Sequence, residues 1–175
     1  MFVAYKLPLV RFRHIMPRHF MSVAQNDMYL IGIDEGVAME QELHQRIIAA
    51  GRQLSDLLGE VDVERIKGDV AVFKVIIAGR EEMPLFVTQA QSQLLCLCYL
   101  WTEQDVLPQR KVALLEAMLD LNVAIPLSSF GRIGDKYLLH GALACDAGVD
   151  DLSADLLALS DNAVDALTAM AEYLR

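Results

Sequence analysis

Residues 94–101, LLCLCYLW, alternate two sets of apolar side chains, so a strand built from them is apolar on both faces. Strands of antiparallel sheets commonly bury one face and leave the other in water. This strand needs cover on both faces, either from helices of the same chain or from a second layer such as a second subunit. The second explanation makes one set of side chains a candidate partner surface: Leu95, Leu97, Tyr99 and Trp101.

Three strand-like segments precede this run, and the four together predict an antiparallel meander. They read VDVERI at residues 61–66, VAVFKVII at 70–77 and PLFVTQ at 84–89, with polar turns between them. One face of the second segment is expected to be the core side; it carries Ala71, Phe73, Val75 and Ile77.

Helices are predicted on both sides of these strands. Apolar residues at three- and four-residue steps indicate a long helix over residues 34–59, and Pro108 begins a second helix. After Gly148 the chain is helical to its end, with a boundary near Asp161. The second helix is expected to bury one face, formed by Val112, Leu115, Met118 and Leu119.

Between these helices, residues 126–136, PLSSFGRIGDK, have the glycines and lysine of a phosphate loop but not its order. A phosphate loop needs the pattern G-x-x-x-x-G-K-[ST] between a strand and a helix, whereas here Asp135 precedes Lys136 and a strand follows. Glycine before aspartate is typical of a two-residue hairpin turn. The segment therefore predicts a hairpin of strands 127–133 and 136–145. The chain as a whole predicts an α+β fold: a curved antiparallel sheet, a meander plus a C-terminal hairpin, packed by a long N-terminal helix and by C-terminal helices.

Charge separates the first residues from the rest of the 175-residue chain. The formal net charge is −9, but the first twenty residues hold four basic residues and no acidic one, so the remainder carries 24 acidic and 11 basic residues. We expect a basic, disordered leader at residues 1–27, with Met1 or Met21 as the start, and a single domain at 28–175. The acidic domain argues against nucleic acid and against anionic membrane surfaces as ligands. No apolar run is long enough for membrane insertion.

Few residues offer chemistry. The odd set of three cysteines, Cys96, Cys98 and Cys145, indicates a reduced compartment, so we expect a cytoplasmic protein. Cys96 and Cys98 would share a strand face, but His140 and Cys145 lie on opposite faces of their own strand, so a metal site does not close. No nucleophile elbow or zinc helix is present. The sequence predicts no catalytic residue, metal or cofactor, and hence no enzyme.

The stretch PLSSFGRIGDKYLLHGALA at residues 126–144, followed by an acidic helix and by LLALSDNAVDAL, resembles an uncharacterised bacterial family typified by YjfI. The likeness extends more loosely over most of residues 40–174. It implies a fold similar to type III secretion chaperones and YbjN proteins, in which dimers and protein clients are common, and it names a PspA-like protein as a partner. The most specific positions are Pro126, Leu127, Ser128, Phe130, Gly131 and Tyr137.

These observations favour a non-enzymatic adaptor or chaperone-like module that binds a protein partner, with a homodimer as one form of that association. The alternative is a small-ligand-binding protein or enzyme with a pocket between helix and sheet.

Overall fold

The computed structural model describes residues 33–90 and 92–175, with side chains from residue 38 onward. The predicted leader at residues 1–27 lies outside these residues. The described elements are helix α1 (Ile33–Leu58), strands β1 (Val61–Ile66), β2 (Val72–Ile77), β3 (Leu85–Ala90) and β4 (Gln93–Thr102), helix α2 (Lys111–Leu121), strands β5 (Ser129–Ile133) and β6 (Lys136–Ala144), and helix α3 (Val149–Ala169). Short 3-10 turns lie at Glu103–Asp105, Pro108–Arg110 and Ala171–Tyr173.

The six strands form one antiparallel sheet, as the alternating segments predicted. Its order is β1-β2-β3-β4-β6-β5, and within the described residues it is curved and does not close on itself. The first four strands are the meander. The hairpin of β5 and β6 adds to it because β6 pairs with β4, which leaves β5 at the edge. The predicted α+β class is confirmed.

Helices α1 and α3 pack on each other and cover one face of the sheet, which we call the inner face. Its strand residues include the core face predicted for β2, and Phe73 stacks on His44 of α1 with ring centroids 4.9 Å apart. Apolar residues of α1 recur at the buried positions Leu43, Ile47, Ala50 and Leu54. Gly59, at φ 96°, ends the helix in the left-handed conformation that glycine adopts without strain.

The C-terminal segment is a single helix rather than two. The predicted boundary near Asp161 was wrong, because the polar residues there bond outward to other elements instead of capping a new helix. Arg80 donates to Ser160 and Asp161, each at 2.7 Å, and Asn162 donates to the Pro126 carbonyl at 2.9 Å. These bonds hold α3 against the turn after β2 and against the loop that precedes β5.

The segment at residues 126–136 turns the chain as predicted. Strands β5 and β6 pair from Ile133 and Lys136 outward, and Gly134 has a φ of 63° at the turn. The first strand begins two residues later than predicted, at Ser129, and the second ends one residue earlier, at Ala144. No helix follows the turn, so the segment lacks the free N–H groups that bind phosphate.

Glu103 joins the turn after β4 to the hairpin and to α2. Its carboxylate accepts from Lys111 at 2.5 Å, from Tyr137 Oη at 2.9 Å and from Arg132 at 3.0 Å. The hydrogen bonds from Lys111 and from Tyr137 lower the pKa of Glu103, and the positive charges of Lys111 and Arg132 lower it further. The ionised carboxylate is therefore the form that these contacts stabilise.

We expect Glu103→Gln to reduce the acid sensitivity of the protein. A carboxyl whose pKa is lowered by folding stabilises the native state above its ordinary pKa of about 4.3, and this stabilisation is lost as the pH falls through the lowered value. Urea unfolding near neutrality and below pH 4.3 should show a smaller loss for the variant than for the wild type. Glu116→Gln is the matched control, since Glu116 forms no ion pair with a described residue. Equal acid sensitivity of Glu103→Gln and wild type would contradict the role of Glu103.

Candidate partner-binding surfaces

The predicted partner surface on β4 is largely buried. Leu97 is only 1% exposed and belongs to a second apolar cluster, on the outer face of the sheet, with Val72, Phe86 and Leu138. Leu95 and Tyr99 are half-buried at the margin of this cluster. Every described member of the cluster lies in a strand or a turn, so helices α1 to α3 do not contribute to it. In this structure Leu97 is a core residue of the outer face, and Leu95 and Tyr99 are too buried to form an open binding surface.

Trp101 lies on the opposite face from the other three candidates, so its assignment to their surface was wrong. The register of β4 shifts between Tyr99 and Trp101, where Tyr99 pairs with Leu138 and Trp101 pairs with Tyr137. A bulge of this kind inserts one residue and reverses the alternation beyond it. Trp101 consequently lies in the inner core at 4% exposure, with its ring 6.0 Å from that of Tyr137.

Helix α2 buries a different side from the one predicted, although Met118 is buried as expected. Leu114 and Met118 are buried, whereas Val112, Leu115 and Leu119, expected inward, are exposed. Val112 is 69% exposed and Leu119 is 68% exposed, and Val123, 92% exposed, continues the row just past the end of the helix. We call Val112, Leu115, Leu119 and Val123 the α2 stripe. Three of its residues, Val112, Leu115 and Leu119, were assigned to the core by the prediction.

The loop of residues 122–128 connects α2 to β5 and lies against α3. Asn122 accepts a hydrogen bond from the Phe130 N–H at 2.6 Å, and Asn162 holds the loop from the other side through Pro126 and through Ser128 Oγ at 2.7 Å. Leu127 lies between these ties and is exposed. Its φ of 56° makes it the one non-glycine residue with positive φ among those described, a conformation that is rare for a bulky side chain.

Leu127 stands at the mouth of a cleft of about 460 Å³ between β6 and α3, which we call the edge cleft. The volume is within the range of ligand-binding pockets. The lining combines apolar and acidic residues and includes Leu127, Leu143, Asp146, Asp151, Ala154 and Asp155. The sequence analysis predicted no site at these aspartates and did not identify the cleft.

Asp155 is the buried carboxyl of the edge cleft, at 2% exposure. It rests on the backbone of β6 so closely that a Cβ added to Gly141 would lie 2.5 Å from its Oδ1. Burial raises the pKa of Asp155, and a hydrogen bond with the Cys96 thiol opposes this rise. Oδ2 has no hydrogen-bond partner among the described residues. A carboxyl oxygen held in this way lacks the compensation that burial of a polar atom normally requires.

The cysteine and histidine residues that the sequence analysis considered for chemistry do not form a reactive site or a metal site among the described residues. Cys98 is buried on the inner face, and burial raises the pKa of its thiol to about 12, which disfavours the nucleophilic thiolate. His140 is half-buried, and burial lowers its pKa. Among the described residues, no three histidine, cysteine or acidic side chains are arranged to hold a metal ion.

The described helices are also too short or too polar to cross a lipid bilayer. The sequence model of a family described as an uncharacterized protein conserved in bacteria (DUF2170) matches residues 41–174. No curated protein matches the chain.

Proposed function

The chain belongs to this bacterial family, DUF2170, and we propose that it is a non-enzymatic module of the cytoplasm that binds a protein partner through the α2 stripe. The observation that supports the proposal is the exposure of an aligned apolar row on a helix. The role is that of an adaptor or chaperone-like protein, in keeping with the resemblance of residues 126–144 to YjfI-like proteins.

The composition of α2 favours a contact surface over a simple surface helix. Leu114 and Met118 fill the interior, so Val112 and Leu119 on the other side are not needed for packing within the chain. A surface helix normally has charged and polar residues on the side away from the core, whereas α2 also exposes Val112, Leu115 and Leu119 there. Single exposed leucines are common, but a contiguous apolar row marks an interaction site. A partner that packs on the α2 stripe removes these exposed apolar side chains from water.

The charges beside the α2 stripe indicate the kind of partner. Glu116 and Asp120 are exposed on the same helix, and neither forms an ion pair with another described residue. The chain beyond its first twenty residues is strongly acidic as well. A complementary partner is an amphipathic helix that carries leucine-like residues flanked by lysine or arginine. A second copy of the chain would bring acidic surfaces together, so a homodimer through this row is the less favoured occupant.

Photo-crosslinking in living bacteria tests the proposal. A photoreactive residue at position 119 should capture one major protein that contains a basic amphipathic helix, and a PspA-like protein is the first candidate. Position 57 on α1 is the matched control, since Leu57 is 67% exposed and Leu119 is 68% exposed. We expect the adduct at position 57 to be absent or several-fold weaker.

Three results would contradict this function. Equal adducts at positions 119 and 57 would mean that exposure alone determines capture. The absence of any adduct at position 119 would remove the α2 stripe as a binding surface. An adduct with the mass of two copies of the chain would replace the basic partner with a homodimer.

A further inference from the structure

The edge cleft concentrates negative charge that the rest of the described chain leaves without a cation. Its three carboxylates are Asp146 and Asp151 at the rim and Asp155 at the buried end. Arg46 of α1 reaches the turn beside the cleft, where it donates to the carbonyl oxygens of Cys145 at 2.7 Å and Ala147 at 3.1 Å. Its guanidinium therefore fixes the turn after β6 instead of pairing with the carboxylates. Within the part of the chain that the structure describes, Asp155 Oδ2 has no hydrogen-bond donor.

The walls of the edge cleft favour an organic cation over a metal ion. The described carboxylates do not converge as metal ligands do. Leu127 and Leu143 supply apolar surface beside them. A charged group on an aliphatic stem matches this combination, since the stem of a lysine or arginine packs on apolar surface while its head binds carboxylates.

The position of the edge cleft favours a cation carried by a polypeptide. Strand β5 begins at Ser129, opposite His140, so among the described strands none lies beside residues 141–144 on that edge of β6. An extended segment can add to an open strand edge, with alternate side chains entering the pockets beside it. Val123 and Leu127 also connect the edge cleft to the α2 stripe along the exposed loop.

We propose that the edge cleft binds a lysine or arginine side chain of the partner polypeptide, with Asp146 and Asp151 at its entrance as the direct carboxylate partners and the charge of Asp155 at its buried end. This inference rests on the proposed function and deepens it, because it assigns the charge recognition to a second site. The stem of the bound side chain packs on Leu127 and Leu143. The positive charge of the bound side chain also favours the ionised form of Asp155.

A pair of blocked tripeptides tests the proposal on the full chain. The first is acetyl-Leu-Lys-Leu-amide, and the second has norleucine in place of lysine, which keeps the stem but removes the charge. Titration followed by ¹⁵N-correlation spectra should give saturable shifts at Leu127 and at residues 143–155 with the lysine peptide only. Equal binding of the norleucine peptide would overturn the proposal. Tighter binding of spermidine than of the lysine peptide would overturn the assignment to a polypeptide.

Charge-removing variants test the assigned residues. Asp155→Asn keeps the shape of the side chain and should weaken the lysine peptide about tenfold, because solvent screens a buried charge less than an exposed one. Asp151→Asn, at an exposed position, should fold normally and weaken it by about two- to fivefold. Asp165→Asn removes the same charge from an exposed position further along α3 and should change the affinity by less than about twofold. An equal loss with Asp165→Asn would reduce the effect to general electrostatics and overturn the proposal.

The variant Leu119→Ser separates this inference from the proposed function. It should leave the tripeptide affinity unchanged, because Leu119 does not line the edge cleft. If the lysine peptide binds as expected while crosslinking at position 119 fails, the cation site stands and the α2 stripe does not. If crosslinking succeeds but the lysine peptide does not bind, the edge cleft is overturned and the proposed function remains.

Discussion

Leu97→Ala is expected to lower the free energy of unfolding by about 2–5 kcal/mol. Leu97 is 1% exposed at the centre of the outer cluster, so truncation removes buried apolar surface and leaves a cavity among its neighbours. Urea unfolding of the full chain at constant pH measures the loss. A loss of this size would mean that the outer face of β4 contributes to folding as strongly as a core does.

Leu119→Ala is the matched control for Leu97, since it makes the same truncation at an exposed position of the α2 stripe. Its effect on stability should stay within about 0.5 kcal/mol, as for most surface substitutions. If Leu97→Ala costs no more than Leu119→Ala, Leu97 is accessible in solution. The outer face would then be the partner surface that the alternation in LLCLCYLW predicted.

Gly141→Ala is expected to lower the free energy of unfolding by about 1–3 kcal/mol, the usual cost of overpacking a core. The new Cβ would lie 2.5 Å from Asp155 Oδ1 and 2.6 Å from Oδ2, closer than nonbonded atoms approach. Asp155 is short and buried, so its carboxylate moves only if α3 shifts away from β6. Chemical denaturation of the single variant gives the cost.

A double-mutant cycle isolates the contact between Gly141 and Asp155. In an Asp155→Ala background, Gly141→Ala should cost much less, because the colliding carboxylate is gone. Gly148→Ala is the control, since a Cβ there meets its nearest neighbour, Asp151 Oδ2, at an ordinary 3.8 Å. An unchanged cost of Gly141→Ala in the Asp155→Ala background would show that the strand itself, and not the carboxyl, rejects the side chain.

The strands were predictable because each is a short run rich in β-branched, aromatic and other apolar residues between polar turns. Local pattern set the order of the meander and the turn at Gly134, and the structure agrees with both. The face of Trp101 was not predictable in the same way. The prediction assumed that every second residue from Leu95 onward lies on the same face of β4. The bulge between Tyr99 and Trp101 breaks this rule, and no proline or glycine in the sequence marks it, so the predicted face was wrong for Trp101.

Helix α2 shows why a period alone does not choose a buried side. Its sequence KVALLEAMLDL has apolar residues on both sides, so Val112 and Leu119 fit a buried face as well as Leu114 and Met118 do. Tertiary packing against the inner core made the choice. The sequence analysis did not identify the exposed row because leucine residues of a helix are usually expected to be buried.

The edge cleft had one signal that sequence reasoning missed. Leu152, Leu156 and Leu159 repeat at helical spacing on the buried side of α3, and Asp155 falls among them. An acidic residue within an apolar row requires a special partner or a special role. It was overlooked because the neighbouring residues are rich in aspartate, and because the match with Gly141 exists only once β6 and α3 are packed.

The backbone of Leu127 has a consequence for how selection acts on this loop. A left-handed conformation costs a residue with a Cβ roughly 1–2 kcal/mol relative to the right-handed one, and glycine would adopt it freely. Folding alone therefore disfavours leucine at this position. Natural variants should therefore keep a bulky apolar residue at position 127 only if its exposed side chain makes a contact that the protein needs. The energetic cost of the backbone conformation would then be offset by that contact.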